Sequence, residues 1–247
     1  ALELDPNQSE ALAAKAWMTQ LLQGDWEAAG KLYERALAYR ENSIAMVSYA
    51  IFYLYHIDRA QQAIRLLNDA EKRDPLQAGY KANLANLLLW SGSVEAAIQK
   101  AKEALELNPQ HVFALMALIE AYGVAEDCSP AIAIVENLPM ALQQEPRISS
   151  RVALCYASQG EYPRARKIYM DVVENTPSSH GILIAAQLAL SLGDLEEAID
   201  LMEREVENNS WTRFWIRSYF RKNEAVNKHP RYLALLKRIG LDDESVA

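Results

Sequence analysis

The sequence predicts an all-α protein: a right-handed superhelical α-solenoid of about six helix–turn–helix units, closed by C-terminal capping helices. Three observations carry that prediction. A helix-ending motif recurs: Ala1-Leu2-Glu3-Leu4-Asp5-Pro6 returns as Ala104-Leu105-Glu106-Leu107-Asn108-Pro109, and Ala70-Glu71-Lys72-Arg73-Asp74-Pro75 holds the same role 34 residues before Pro109. A glycine turn followed by small residues recurs at twice that interval, from Gly24 to Gly92 and from Gly92 to Gly160, and again one residue short of a single interval at Gly193. Six alanines, Ala29, Ala63, Ala97, Ala131, Ala165 and Ala198, stand at one position of successive units. Self-similarity at a fixed period of roughly 20–50 residues is the mark of a stacked-repeat architecture.

The units run 7–41, 42–75, 76–109, 110–144, 145–177 and 178–209. The first helix of each carries small and apolar residues at spacings of one, three and four, as in Leu84, Ala85 and Leu88 or Val152, Ala153 and Tyr156, which places them on one stripe. Gly24, Gly92, Gly160 and Gly193 end that helix, where a left-handed backbone meets no Cβ clash. Asp58 and Glu126 hold the turn position in the second and fourth units. The recurring alanine of the second helix marks a close crossing, where a larger side chain forces the helices apart. Four residues later come Tyr33, Leu67, Ala101, Val135, Tyr169 and Met202. A proline stops the second helix and aims the chain at the next unit. The fourth unit is least regular, because its turn lacks glycine and Pro139 arrives early. A bend or altered packing angle is expected there.

After residue 209 the pattern changes. A repeat stack needs an end unit to cover its last apolar face. Tyr232, Leu235, Leu236 and Ile239 form one face of a short helix suited to this, and Gly240 ends it. The division is therefore a repeat array at 1–209 and capping helices at 210–247. Residues 1–6 read as the tail of a helix already under way. The array is thus expected to begin mid-repeat, in a piece of a longer protein.

Composition narrows the function. The 247 residues carry a formal charge of −8, which disfavours phosphate backbones, so nucleic acid is not an expected partner. No apolar run reaches the length of a membrane span, so no membrane partner is expected. Cys128 and Cys155, 27 residues apart with no ligand-spaced neighbour, read as ordinary buried thiols rather than a disulfide or zinc site. A reducing, cytoplasmic setting follows from that reading.

These markers resemble the tetratricopeptide repeat (TPR) family over about 200 residues. The ending, Pro230, Arg231, Tyr232, Leu235, Leu236, Ile239, Gly240 and Leu241, resembles the close of a bacterial group. In that group such repeats follow a class III nucleotide cyclase or a winged-helix regulator. The resemblance implies a sensory or scaffolding region whose partner is a protein or peptide, or the parent's own N-terminal domain. The carboxylate clamp for chaperone tails does not fit. Asn86 holds one clamp position, but Phe52 stands at the matching position of the preceding unit, and Ser48, Ala82 and Met116 replace the lysine.

No catalytic residues, metal ligands or cofactors are expected. His56, His111, His180 and His229 lie in separate segments and read as structural or solvated. Ser178-Ser179-His180-Gly181 reads as a helix cap, and Glu196-Glu197 and Asp242-Asp243-Glu244 as solvated charge runs. The best functional candidate is the inner groove of the superhelix. Its register offers Trp17, Gln20, Phe52, Tyr55, His56, Asn86, Trp90, Met116 and Glu120, aromatics flanked by polar groups as in protein interfaces. A second reading is a homodimer, paired through an exposed aromatic patch from Trp211 to Tyr219.

Overall fold

The computed structural model describes residues 1–39, 42–175, 180–208 and 211–242. Among these residues all regular structure is helical, and each predicted unit is an antiparallel helix pair. The pairs are α1 (Ser9–Gln23) with α2 (Trp26–Tyr39), then α3 (Ser43–Tyr49) with α4 (Ala60–Arg73). Next come α5 (Ala78–Trp90) with α6 (Val94–Leu107), and α7 (Val112–Val124) with α8 (Cys128–Glu136). A single turn, α9 (Met140–Gln143), precedes α10 (Pro146–Ser158) with α11 (Tyr162–Asn175) and α12 (His180–Ser191) with α13 (Leu195–Glu207). Each first helix packs on its own partner and on neighbouring units in sequence order. The architecture is an all-α solenoid.

The recurring alanines explain the close stacking. All six are 0% exposed. The turns also follow the reading: Gly24, Gly92, Gly160 and Gly193 are left-handed, and Asp58 (φ 60) and Glu126 (φ 58) adopt the same conformation despite their side chains. Gly30 marks another close approach, since a Cβ there would fall on the Tyr53 hydroxyl and 2.8 Å from its Cζ.

Two features depart from expectation. The first helix of the second unit does not run straight. After Tyr49 it widens into a π-helical turn, Ala50–Leu54, with Tyr55 N donating to the Ala50 carbonyl at 3.1 Å. Such widenings shift the side-chain register by one residue and are frequent at functional sites. The second departure corrects the thiol reading: Cys128 and Cys155 form a disulfide. The fifth unit's first helix packs against the short α8, bringing the two Cα atoms to 5.4 Å, within bridging range. The separation in sequence gave no hint of that proximity, and with no free thiols at these positions the cysteines do not point to a reducing compartment.

Beyond α13 lie a 3₁₀ turn (Trp211–Phe214), α14 (Trp215–Phe220), α15 (Glu224–Asn227) and α16 (Pro230–Arg238). Tyr232, Leu235, Leu236 and Ile239 are buried, and left-handed Gly240 ends the helix. Arg231 fastens α16 to α13 through Glu196, Asp200 and Glu203. His229 adds Glu196 at 3.2 Å. Ser178 and Ser179, Asp243 and Glu244, and the side chain of His180 lie outside the described residues.

Candidate functional site

The inner face of the solenoid is built by the first helices of the units. The structure places a helix there: the chain's own 3₁₀ turn and α14. Trp215, 3% exposed, is the centre. Its ring centroid lies 4.7 Å from Trp90, 4.8 Å from His56 and 5.9 Å from Tyr55. Aromatic pairs at such distances in tilted or edge-on arrangements stabilise beyond their area alone. One turn later Tyr219 sits 6.4 Å from Trp90 and accepts a hydrogen bond from Arg151 at 2.8 Å.

Arg151 is 2% exposed on the inner side of α10. A buried guanidinium requires a full set of acceptors. It donates to Glu120 Oε2 at 3.0 Å, to the Arg147 carbonyl at 2.7 Å and to Tyr219. Gln187 on α12 donates to the Tyr219 carbonyl at 3.4 Å. Three further arginines, spaced four apart on the inserted segment, each reach the end of a first helix. Arg213 donates to the Leu21 carbonyl. Arg217 donates to the His56 carbonyl at 3.2 Å and to Asp58 Oδ2 at 2.7 Å. Arg221 donates to Asp58 Oδ1 at 3.0 Å, to the Tyr55 hydroxyl at 3.2 Å and to the Trp90 carbonyl at 3.4 Å. Helix C-termini expose unpaired carbonyls with partial negative charge, which cations satisfy.

His56 is 3% exposed and shares a hydrogen bond of 3.3 Å between Nδ1 and Ser218 Oγ. Burial, with Arg217 and Arg221 close by, pushes its pKa down to about 3, so the ring is neutral. Phe214 packs edge-on against Trp26 at 5.6 Å, and Gly240 lies against Trp26 as well. The C-terminal segment therefore touches the first unit and the last, and the ends of the array share one buried cluster.

The nine residues expected in the groove fall into three groups. Tyr55, His56 and Trp90 touch the inserted segment directly, and Glu120 reaches it through Arg151. Phe52, Asn86 and Met116, with Trp90, Trp215 and Tyr219, line a cavity of about 220 Å³. Trp17 and Gln20 brace that wall: Trp17 stacks on Phe52 at 5.4 Å, and Gln20 Nε2 donates to the Phe52 carbonyl at 2.7 Å. Asn86 Nδ2 donates to the carbonyls of Ala82 and Phe113.

The patch expected from Trp211 to Tyr219 is corrected over its described residues: Thr212, Arg213, Phe214, Trp215 and Ile216 are buried inside the chain's own groove and do not face outward to pair two copies. Residues that sequence reasoning missed are Asp58, Arg151, Arg217 and Arg221. The four-residue spacing of Arg213, Arg217 and Arg221 beside Trp215 and Tyr219 was the available signal. Among the described residues no cluster of His, Cys, Asp and Glu is placed to hold a metal, and no helix is long and apolar enough to cross a membrane.

Six stacked helical hairpins with small residues at every crossing define a tetratricopeptide-type repeat protein, a class whose members are generally protein-interaction modules. The chain belongs to the ChAPs family, the Chs5p-Arf1p-binding proteins, whose family model matches residues 18–209. No curated protein matches the sequence. Among solved structures, a thermophilic TPR protein of Thermus thermophilus is 20% identical over 79% of this chain and 100% of its own, with a TM-score of 0.58. The pilF protein of Pseudomonas aeruginosa is 18% identical over 81% of this chain and 91% of its own, at 0.55. A tetratricopeptide repeat protein from Parabacteroides merdae is 17% identical over 97% and 96%, also at 0.55. These likenesses show the fold.

Proposed function

We propose that this chain binds a helix or peptide of a protein partner along its inner face, as the C-terminal regulatory region of a larger signalling protein. The binding residues in this reading are Trp17, Gln20, Phe52, Tyr55, His56, Asn86, Trp90, Met116 and Glu120. One observation carries it: first helices of five units converge hydrogen-bonding groups on a single helical segment. A face that holds a helix by buried aromatics and matched polar groups has the chemistry of an interface hot spot. The family's description, which gives two proteins as ligands, supports a protein partner over a small molecule. The resemblance of the segment from Pro230 to Leu241 to the close of cyclase-like and winged-helix regulators supports a partner domain in the same polypeptide.

The test is photo-crosslinking in cells that make the protein. A photoreactive residue replaces Phe52 or Met116 on the inner face, or exposed Lys31 on an outer helix. The expected result is one polypeptide captured from both inner positions and not from Lys31. Capture from Lys31 alone would overturn the groove as the binding face.

A further inference from the structure

Resting on that reading, we infer that the 3₁₀ turn and α14 are a resident competitor in the groove, and that the partner displacing them is an amphipathic helix of matching chemistry. That chemistry is two aromatic residues one turn apart, flanked by arginines repeating every four residues.

Trp215 and Tyr219 are four apart, and so are Arg213, Arg217 and Arg221, while the two sets are offset by two residues, so aromatics and cations form two stripes on different faces of the segment. The aromatic stripe lies on Tyr55, His56 and Trp90. The cationic stripe climbs the array one unit at a time: Arg213 caps the first helix of unit one at Leu21, Arg217 that of unit two at His56, and Arg221 that of unit three at Trp90. Asp58 lies between the last two arginines and accepts from both. The groove thus reads arginine at repeat spacing, in an acidic chain whose helix ends and Asp58 supply complementary charge. Any helix competing for this face meets the same carbonyls, the same carboxylate and the same aromatic floor.

The resident segment fits incompletely, which is why it is displaceable. Between Trp215 and Tyr219 and the groove wall remains the cavity of about 220 Å³, lined also by Val47, Ile51 and Phe113. Two of its lining residues hold buried polar atoms, Asn86 Oδ1 and Trp90 Nε1, with no hydrogen-bond partner among the described residues. Gln20 Oε1, behind Phe52, is in the same state. Buried polar atoms left unmet cost stability. A helix bearing a larger or polar-tipped side chain against this wall gains what the resident leaves unused.

The experiment uses the full chain and a fluorescein-labelled synthetic peptide of residues 211–223 as probe. Binding is read by fluorescence anisotropy, with light scattering for oligomeric state. In the Arg217→Glu, Arg221→Glu chain the resident segment meets Asp58 with like charge and loosens, while the groove is untouched. The expected result is at least tenfold tighter peptide binding to this variant than to wild type. A peptide carrying Trp215→Ala and Tyr219→Ala is expected to lose binding at least tenfold, and one with its arginines changed to glutamine likewise. Equal affinity of both chains for the peptide, no binding to a folded variant, or indifference to the aromatic substitutions would overturn the inference. So would a variant that dimerises by exchanging segments instead of taking up peptide. If circular dichroism shows the double reversal unfolded, the Arg217→Gln, Arg221→Gln chain replaces it with the same expected order. A groove that captures its cellular partner while refusing the peptide leaves the proposed function standing and removes only the competitor; failure of both removes both.

Discussion

Arg217 and Asp58 meet at 2.7 Å although 159 positions separate them in the chain. Asp58 also occupies a left-handed turn, with φ of 60°. One residue therefore ends the second unit's first helix and anchors the segment lying in the groove.

That double role separates two otherwise similar positions. Glu126 has the same left-handed backbone (φ 58) but is exposed and makes no such anchor. A left-handed non-glycine residue costs roughly 1–2 kcal/mol, which glycine relieves. Glu126→Gly is expected to stabilise the protein by about 1 kcal/mol. Asp58→Gly is expected to lose that gain and to increase hydrogen exchange in residues 212–221. Urea denaturation and exchange mass spectrometry check both, and equal stabilisation by the two glycines would contradict the anchor.

Arg151 is buried and Glu120 largely covered, so the two halves of their pair are interdependent. Removing one partner of such a pair strands the other charge and typically costs about 3–5 kcal/mol. Arg151→Ala is expected to destabilise by that order and to release Tyr219. Arg151→Met combined with Glu120→Leu, which leaves no stranded charge, is expected to recover most of the loss. Thermal unfolding of the three chains decides the point.

His56 makes stability depend on pH with a definite sign. Its folded pKa is about 3, whereas an unfolded histidine titrates at about 6.5. Between those values the unfolded chain binds a proton that the folded chain does not. Stability from this residue is full above about pH 6.5 and falls as pH drops towards 3, by about 2 kcal/mol at about pH 5. His56→Gln is expected to flatten the wild-type dependence over that interval, measured by urea midpoints at several pH values. Parallel curves for the two chains would count against a neutral buried ring.

The disulfide closes a loop between α8 and α10 across 27 positions. Restricting the unfolded chain in this way is worth about 3 kcal/mol. Reductant is expected to lower the unfolding midpoint accordingly, and Cys128→Ala with Cys155→Ala to match the reduced protein and ignore reductant. A midpoint insensitive to reductant would show that the bond is not contributing.

Much of the groove was legible as a set of residues and not as an occupied site. Tyr55, His56 and Trp90 follow from helical register, which depends on neighbours within one or two turns. Their neighbour Trp215 does not, because nothing local to residues 52–56 or 86–90 refers to a segment more than a hundred residues away. The π-helical turn after Tyr49 was also invisible, since the sequence there carries no proline or glycine to mark it.

Residue size and spacing were enough to lay out the repeat: alanines at each crossing, left-handed turns at four glycines, turn positions at Asp58 and Glu126, and a final helix ended by Gly240. These are consequences of steric size and backbone conformation within a few residues. Tertiary structure alone decided that Cys128 meets Cys155 and that an aromatic, arginine-bearing segment turns inward to lie against the groove. Both depend on the accumulated placement of successive units, a sum of small rotations that no single stretch of sequence encodes.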